Sequence, residues 1–313
     1  MKLGVILIHG IGNESPNWAD EKIQKLKEKI LEETKALSLQ RPPASIDDIA
    51  CIASAFWKDV FKDSQTELQN LLDEYYESKI KNTSNLGFWS RVWLFATREF
   101  RKLQNRVISW FVGDIIGYMS GAMAKERVYE DIKKCFVELR RCLESSNDKA
   151  QVTFVTHSLG TVIGSDFIYD YFMKNSKKDV DLSDHFLISN IFTIGSPIAL
   201  FSLKFGGPGA FRKPIHVQAQ RGRWLNILDL DDPVAMPLAI LNEEYKKAVW
   251  ADIQVDAGKY GVAHTEYFNK SDTMTIIAKK IAIDWAVLNK HKDETAANAL
   301  YEKFDHWVQE EAK

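Results

Sequence analysis

Short runs of apolar, often β-branched residues alternate along the chain with longer stretches that carry apolar residues at helical spacing. The short runs have the length and composition of buried parallel strands, and turn-forming residues follow them. The pattern predicts five strands, at residues 5–8, 49–56, 152–155, 187–194 and 224–228.

The stretches between these runs predict helices. Ser15 and Pro16 suit a helix start, and apolar residues recur at helical spacing after them. Further helices are expected from the end of the third strand to about residue 173, at 274–288 where an apolar stripe runs, and at 297–309.

Strands separated by helices predict an α/β fold, with a mostly parallel sheet flanked by helices. In such sheets the functional groups lie on loops at the carboxyl ends of the strands. The chain is predicted to be a single domain over residues 1–313. About 90 residues, 58–148, interrupt the alternation and predict an inserted helical cap, because structureless loops beyond roughly 15 residues are uncommon.

The insertion is rich in aromatic residues. Of the 36 Phe, Trp and Tyr residues, 13 lie between Phe56 and Tyr118. Residues 88–102 alternate aromatic and basic side chains, as in an interfacial helix or a cap over an apolar pocket. Residues 107–124 carry Asp114 as their one charge, which leaves two alternatives: a buried helix or a lid that contacts a membrane. Both segments favour an apolar acyl substrate.

Composition mainly excludes partners and compartments. A net charge of −2 gives no overall field to attract nucleic acid, so we expect no nucleic-acid partner. The three cysteines show neither zinc-site spacing nor a disulfide framework, so a reducing, cytoplasmic location is the simplest expectation. The apolar run at the N-terminus is shorter than the core of a signal peptide.

The strongest local motif is Thr156-His157-Ser158-Leu159-Gly160, between a predicted strand and a predicted helix. A sharp strand-to-helix turn of this kind presents a nucleophilic serine, and small neighbours such as Gly160 allow its strained backbone. The alternative is a plain helix-capping serine.

The first strand ends in His9-Gly10-Ile11-Gly12. A glycine-rich loop beside a nucleophile can supply one N–H donor to the oxyanion of acyl transfer, the second coming from the residue after the nucleophile. Ile11 and Leu159 are the candidate donors, with His9, Gly10 and Gly12 supporting the loop. A dinucleotide-binding turn is the competing interpretation, but Ser15 replaces its third glycine.

The order HGIGN, THSLG, GSP, DPV and a late histidine resembles lipase-like and esterase-like serine hydrolases of the α/β-hydrolase fold. The resemblance covers residues 3–56 and 150–290 approximately. It implies Ser158 as nucleophile, Asp232 as acid, with Asp231 and Asp229 as rivals, and His264 as base. His157 is then packed beside the site, and Gly195-Ser196-Pro197 forms a structural turn. Thr156 departs from the family, which usually has glycine there.

The resemblance implies hydrolysis of a carboxylic ester, of a lipid or another apolar acyl group, through an acyl-enzyme on Ser158 and without a metal or organic cofactor. An acyltransferase or a thioesterase would use the same residues. A non-catalytic membrane-associated binding protein of the same fold is the alternative from another class. Peripheral membrane contact is expected through the cap, and the oligomeric state is left open.

Overall fold

The structure is a computed structural model. It describes residues 1–10, 17–57, 115–116, 118–119, 122–143, 149–174, 182–259 and 262–311. Most of the predicted cap, including the aromatic segment 88–102 and the greater part of the uncharged segment 107–124, lies outside the described residues, as do Ser15 and Pro16.

Six strands form one sheet in which every neighbouring pair is parallel, in the order β2-β1-β3-β4-β5-β6. The strands are β1 Leu3–Ile8, β2 Ala50–Ala55, β3 Ala150–His157, β4 Phe186–Ile194, β5 Arg223–Leu228 and β6 Ala251–Gln254. The α/β class and the parallel sheet are therefore confirmed. The sequence pattern predicted β1 to β5 and missed β6, a four-residue edge strand with polar residues at alternate positions.

Helices flank the sheet. The α-helices with described bounds are α1 Asp20–Ala36, α2 Ala122–Cys142, α3 Leu159–Ile168, α4 Ile198–Phe201, α5 Glu243–Ala248, α6 Ala263–Glu266, α7 Ser271–Leu288 and α8 Glu294–Glu311. Four 3-10 turns cover Ile46–Asp48, Leu182–Asp184, Ser202–Phe205 and Tyr267–Asn269, and a π-helical turn at Tyr169–Met173 extends α3.

Adjacent residues of β3 show how both faces of the sheet are covered. Phe154 packs near Phe136 of α2 and Phe167 of α3. On the opposite face, Asn190 of β4 donates hydrogen bonds to Thr153 of β3, at 3.1 Å, and to Asp284 of α7, at 2.7 Å. Successive side chains of a strand point to opposite faces, so one strand binds a helical layer on each side.

The chain divides into two compact units. The first comprises Met1–Gly10, Pro16–Ala55 and Ile132–Lys313, and the second comprises Ile11–Ser15 and Phe56–Asp131. The first unit holds the whole sheet. Residues 132–143, which the sequence pattern assigned to the cap, belong to this first unit, and Phe136 packs there against the ring of Phe186.

The strand order reverses direction between β1 and β3. From β1 the chain goes to β2 on one side, and later returns to β3 on the other side of β1. Ligands of open parallel sheets bind outside the carboxyl ends of the strands at such a switch point. His9 and Gly10 follow β1 there, and Ser158 follows β3.

Two of the three cysteines form a disulfide. Cys51 of β2 and Cys142 at the end of α2 are bonded, with their Cα atoms 6.1 Å apart. The expectation of unpaired cysteines is therefore wrong, because the fold brings together residues 91 positions apart, which spacing in the sequence does not reveal. The prediction of a reducing compartment loses its argument, since disulfides persist mainly in oxidising surroundings. Cys135 is buried and takes no part in the disulfide.

No helix in the described part of the chain has both the length and the apolar character needed to cross a membrane.

Candidate functional site

Ser158 occupies a strained turn between β3 and α3. Its φ of 54° and ψ of −130° lie in a region that non-glycine residues rarely adopt. The surroundings hold it there: the Ser158 N–H donates to the carbonyl of Ile194 at 2.9 Å, and the Thr161 hydroxyl donates to the Ser158 carbonyl at 2.7 Å. Strain of this kind costs about 1–3 kcal/mol and persists where the fold enforces it. The plain helix-cap alternative does not describe Ser158, whose side chain makes no capping hydrogen bond.

Two glycines allow the turn to approach β1 closely. A Cβ atom at Gly160 would lie 2.3 Å from the carbonyl oxygen of His9, and one at Gly10 would lie 2.3 Å from the Cβ of Ser158. Real Cβ atoms do not come so close to other heavy atoms. Glycine at both positions is therefore what lets the first turn of α3 and the residues after β1 meet around Ser158.

The larger residue at the start of the turn, Thr156, is accommodated on two sides. Its hydroxyl donates to the Phe192 carbonyl at 2.9 Å, which satisfies a buried polar group. Its Cγ2 methyl faces Gly164, where an added Cβ would come within 2.9 Å of it. Serine hydrolases of the resembled family usually have glycine at the position of Thr156. The missing side chain at Gly164 leaves the space that the Thr156 methyl group needs.

The side chains of Ser158, His264 and Asp232, from three separate segments of the chain, are joined by hydrogen bonds and are here called the Ser–His–Asp row. His264, in α6, has its Nε2 2.8 Å from the Ser158 Oγ and its Nδ1 2.8 Å from the Asp232 Oδ2. A carboxylate oxygen only accepts, so Nδ1 carries the proton in the neutral imidazole and Nε2 accepts from the Ser158 hydroxyl. Ser158 is fully buried, and the His264 side chain is 21% exposed.

Asp232 is held as a carboxylate by three donors. Besides His264, the N–H of Val234 donates to Oδ1 at 2.9 Å, and the Tyr267 hydroxyl donates to Oδ2 at 2.9 Å. Burial alone would raise the pKa of Asp232, but the hydrogen bond and charge of His264, followed by those two donors, lower it below its ordinary value. The carboxylate therefore stays ionised beside His264 over the whole neutral range.

The two rival aspartates occupy other positions. Asp229 accepts backbone N–H bonds from Asp231 at 2.8 Å, from Ala257 at 2.5 Å and from Gly258 at 3.2 Å, so its carboxylate ties the loop after β5 to the loop after β6. Asp231 is exposed. Of the three candidates, the structure brings Asp232 to His264.

His157 contacts the backbone of His264. Its Nε2 lies 2.7 Å from the His264 carbonyl, which requires the proton on that nitrogen. Burial, and then the proximity of His264, lower the pKa of His157 to about 3. His157 is therefore neutral at physiological pH, and its one N–H already donates to the backbone that carries His264.

Gly195 lies close to both Asp232 and His264. Its φ is +57°, and a Cβ there would lie 3.1 Å from the Asp232 Oδ2 and 3.3 Å from the His264 Nδ1. The next residue, Ser196, is buried, and its hydroxyl hydrogen-bonds that of Thr161 at 2.8 Å. The predicted turn thus makes room for the row at Gly195 and braces the Ser158 turn through Ser196.

The structure describes one of the two predicted oxyanion donors, Leu159. Leu159 is the first residue of α3, so its N–H has no intrahelical acceptor. Ile11 and Gly12 lie outside the described residues. His9 is buried, with its Nδ1 2.6 Å from the Gly10 carbonyl and its ring edge against Trp18.

Sequence reasoning missed Tyr267. Its hydroxyl accepts the Asp229 N–H at 2.9 Å while it donates to Asp232, so it joins the two ends of the acid loop. Burial, and then the adjacent Asp232 carboxylate, raise the pKa of Tyr267 well above its ordinary value, which keeps the proton in place. One signal was available: Tyr267 follows His264 by three residues, a spacing that puts both on one side of a helical turn.

Comparisons of the chain with protein-family models, with curated proteins and with solved structures give no match.

Proposed function

We propose that this protein is a serine hydrolase of the α/β-hydrolase fold, with a cap within residues 58–131, that cleaves a carboxylic ester through an acyl-enzyme on Ser158. One observation carries the proposal: a strained serine at a strand-to-helix turn contacts the Nε2 of His264, whose Nδ1 contacts a buried carboxylate. Nucleophile, base and orienting acid in this geometry are the elements of serine acyl transfer.

In the first half of the reaction, the Ser158 Oγ attacks the ester carbonyl carbon while its proton passes to the His264 Nε2. The resulting imidazolium is stabilised by the Asp232 carboxylate, which keeps its negative charge because its pKa is low. Collapse of the tetrahedral intermediate breaks the bond to the alcohol oxygen, which takes the proton from His264. The acyl group remains bonded to Ser158.

In the second half, water replaces the alcohol. His264 accepts a proton from the attacking water, and the acid leaves as Ser158 recovers its proton. The oxyanion of both tetrahedral intermediates needs N–H donors aimed at it. The N–H of Leu159 has no acceptor within α3, which supports its assignment to that role, and the contribution of Ile11 remains a prediction from the sequence.

An apolar acyl group is the proposed substrate class. Two exposed apolar side chains support it, since Leu230 lies on the loop that carries Asp232 and Val262 lies two residues before His264. Apolar surface beside the reacting groups contributes binding energy to an acyl chain in proportion to the area buried. The aromatic composition of the predicted cap favours the same class.

The test is hydrolysis of p-nitrophenyl esters of increasing chain length by the full chain. We expect turnover that increases from acetate to longer chains, and a loss of about 10⁴ in kcat in Asp232→Asn, because the imidazole loses its orienting carboxylate. Asp231→Asn is the matched control and should keep the wild-type rate.

A rate that falls steadily beyond acetate would contradict the apolar substrate class. Equal activity in wild type and Asp232→Asn would contradict the mechanism. Product analysis with an added alcohol or thioester separates hydrolysis from acyl transfer to another acceptor.

A further inference from the structure

A second feature of the sheet's carboxyl edge is an exposed apolar surface on residues 198–213, here called the basic-apolar segment. It comprises α4, the turn Ser202–Phe205 and the loop that follows. Three large apolar side chains face solvent there, with Leu200 43%, Leu203 65% and Phe205 52% exposed. Single exposed apolar residues are ordinary, whereas three within six residues of one segment favour an interaction surface.

The segment is also positively charged. Lys204, Arg212 and Lys213 are exposed, and no Asp or Glu occurs between His185 and Leu228. Within the described part of the chain these three cations form no ion pair. The basic-apolar segment therefore presents positive charge that no described carboxylate pairs with, beside exposed apolar surface.

The fold holds this surface in place. Phe205 stacks on Phe211 with ring centroids 5.1 Å apart, and Phe211 stacks on the buried Tyr245 at 5.2 Å. The Asn242 side chain donates to the carbonyls of Pro208 at 2.8 Å and Phe211 at 2.9 Å. A partner that binds here meets a preformed surface, so little ordering entropy opposes binding.

The basic-apolar segment begins three residues after Gly195, which contacts the Ser–His–Asp row. Gly195 lies against Asp232 and His264, and Ile198 starts α4 three residues later, with its N–H donating to the Ser196 hydroxyl at 3.2 Å. A partner that binds the segment would therefore lie at the carboxyl edge of the sheet, where the Ser–His–Asp row also lies.

We propose that the basic-apolar segment binds the surface of a bilayer that contains anionic lipids. Negatively charged headgroups complement Lys204, Arg212 and Lys213, and the acyl region accepts Leu200, Leu203 and Phe205. This inference rests on the proposed function for its biological sense, because it brings an ester-cleaving site to a lipid substrate. It concerns the sheet unit and is separate from the membrane contact expected of the cap.

Vesicle co-sedimentation of the full-length protein tests the proposal. Wild type should bind vesicles of phosphatidylcholine and phosphatidylserine at 7:3 and bind pure phosphatidylcholine much more weakly, with affinity falling as salt is added. Lys204→Glu should weaken binding to the mixed vesicles at least about fivefold, since each charge near an anionic surface contributes about that factor. Leu203→Glu should weaken it at least as much.

Matched controls come from the same unit. Val137 is 52% exposed on α2 and Lys303 is exposed on α8, so Val137→Glu and Lys303→Glu make the same chemical changes elsewhere and should bind as wild type does. Thermal unfolding confirms that each variant folds. The proposal is overturned if wild type ignores anionic vesicles, if it binds both vesicle types equally, or if the two control variants lose as much affinity as the segment variants.

Vesicle binding is independent of catalysis, so Ser158→Ala should bind as wild type does. An inactive wild-type protein that still binds anionic vesicles would contradict the proposed function and leave this inference standing. An active protein that does not bind them would do the reverse.

Discussion

At the residue scale, the immediate surroundings of His264 are fixed by two groups, His157 and Tyr267, that lie outside the proposed proton transfer. His157 donates its N–H to the His264 carbonyl, and Tyr267 donates its hydroxyl to the Asp232 carboxylate that faces the ring. Tyr267 is buried and keeps its proton, and His157 is half-buried and stays neutral, because its pKa is lowered to about 3. The His264 imidazole is thus oriented in two ways. His157 holds the backbone of His264, and Tyr267 holds the Asp232 carboxylate that bonds the ring.

Burial of His157 predicts an acid-sensitive stability. Its pKa is 6.5 in an unfolded chain and about 3 in the fold, so between these values the unfolded state binds more protons. Its contribution is complete above pH 6.5 and is lost as pH falls toward 3, at up to about 1.4 kcal/mol per pH unit. Denaturant unfolding between pH 7 and 4.5 measures this slope.

His157→Gln keeps an N–H donor and does not titrate, so the slope should decrease in this variant. His216→Gln, at an exposed histidine, serves as control and should keep the wild-type slope. An unchanged slope in His157→Gln would contradict the burial argument. Asp232, whose pKa is lowered, adds a further loss of stability only at more acidic pH, below about 4.

Sequence reasoning reached the side chains that carry recognisable chemistry, whereas it reached Gly195 only as part of a turn and not as a neighbour of Asp232 and His264. Ser158, Asp232 and His264 have motif contexts, and the structure brings them within hydrogen-bond distance. Gly195 leaves space for the side chains of Asp232 and His264, and this role depends on how the segments that carry them approach each other. That approach is tertiary and leaves no local pattern.

At the element scale, the junction of β3 with α3 is the packing on which the candidate site depends. The junction carries Ser158, and α3 meets β3 again where Gly164 faces Thr156. A helix-interior glycine normally costs about 1 kcal/mol relative to alanine. Its presence here is explained by the Thr156 methyl group.

A double-mutant cycle tests this explanation. Gly164→Ala should destabilise the wild type by about 1–3 kcal/mol, because the new Cβ would crowd the Thr156 Cγ2. In a Thr156→Ser background the methyl is gone, whereas the hydroxyl that donates to Phe192 remains. There Gly164→Ala should be neutral or stabilising. Equal destabilisation in both backgrounds, measured by denaturant unfolding, would contradict the packing argument.

Strands that are buried on both faces and helices that bury one face were predictable from the sequence. β1 to β5 are apolar runs that carry a strong signal, and the apolar stripe of α7 is clear in the sequence. β6 is short and at the sheet edge, and two of its four residues are polar. Its backbone pairing with β5 supplies the stability that its side chains do not signal.

At the scale of the whole molecule, the Cys51–Cys142 disulfide joins the edge strand of the sheet to the end of the helix that precedes β3. It closes a long stretch of chain that contains most of the predicted cap. Cross-linking residues 91 apart restricts the unfolded chain and, in the chain-entropy account, stabilises the fold by about 4–5 kcal/mol.

Reduction should therefore lower the unfolding free energy by several kcal/mol. The double variant Cys51→Ser with Cys142→Ser should be less stable than wild type and insensitive to reductant, and Cys135→Ala should keep the response to reductant. Thiol titration of the unfolded, unreduced protein should find one thiol, that of Cys135. Three thiols would contradict the disulfide.

The central claim is that Ser158 is a nucleophile activated by His264, and covalent labelling with a fluorophosphonate tests it most directly. Intact mass and peptide mapping should find one adduct, on Ser158. Labelling should be absent in Ser158→Ala and strongly slowed in His264→Ala. Folded wild-type protein that acquires no adduct at Ser158, or a Ser158→Ala protein that labels at the wild-type rate, would contradict the account.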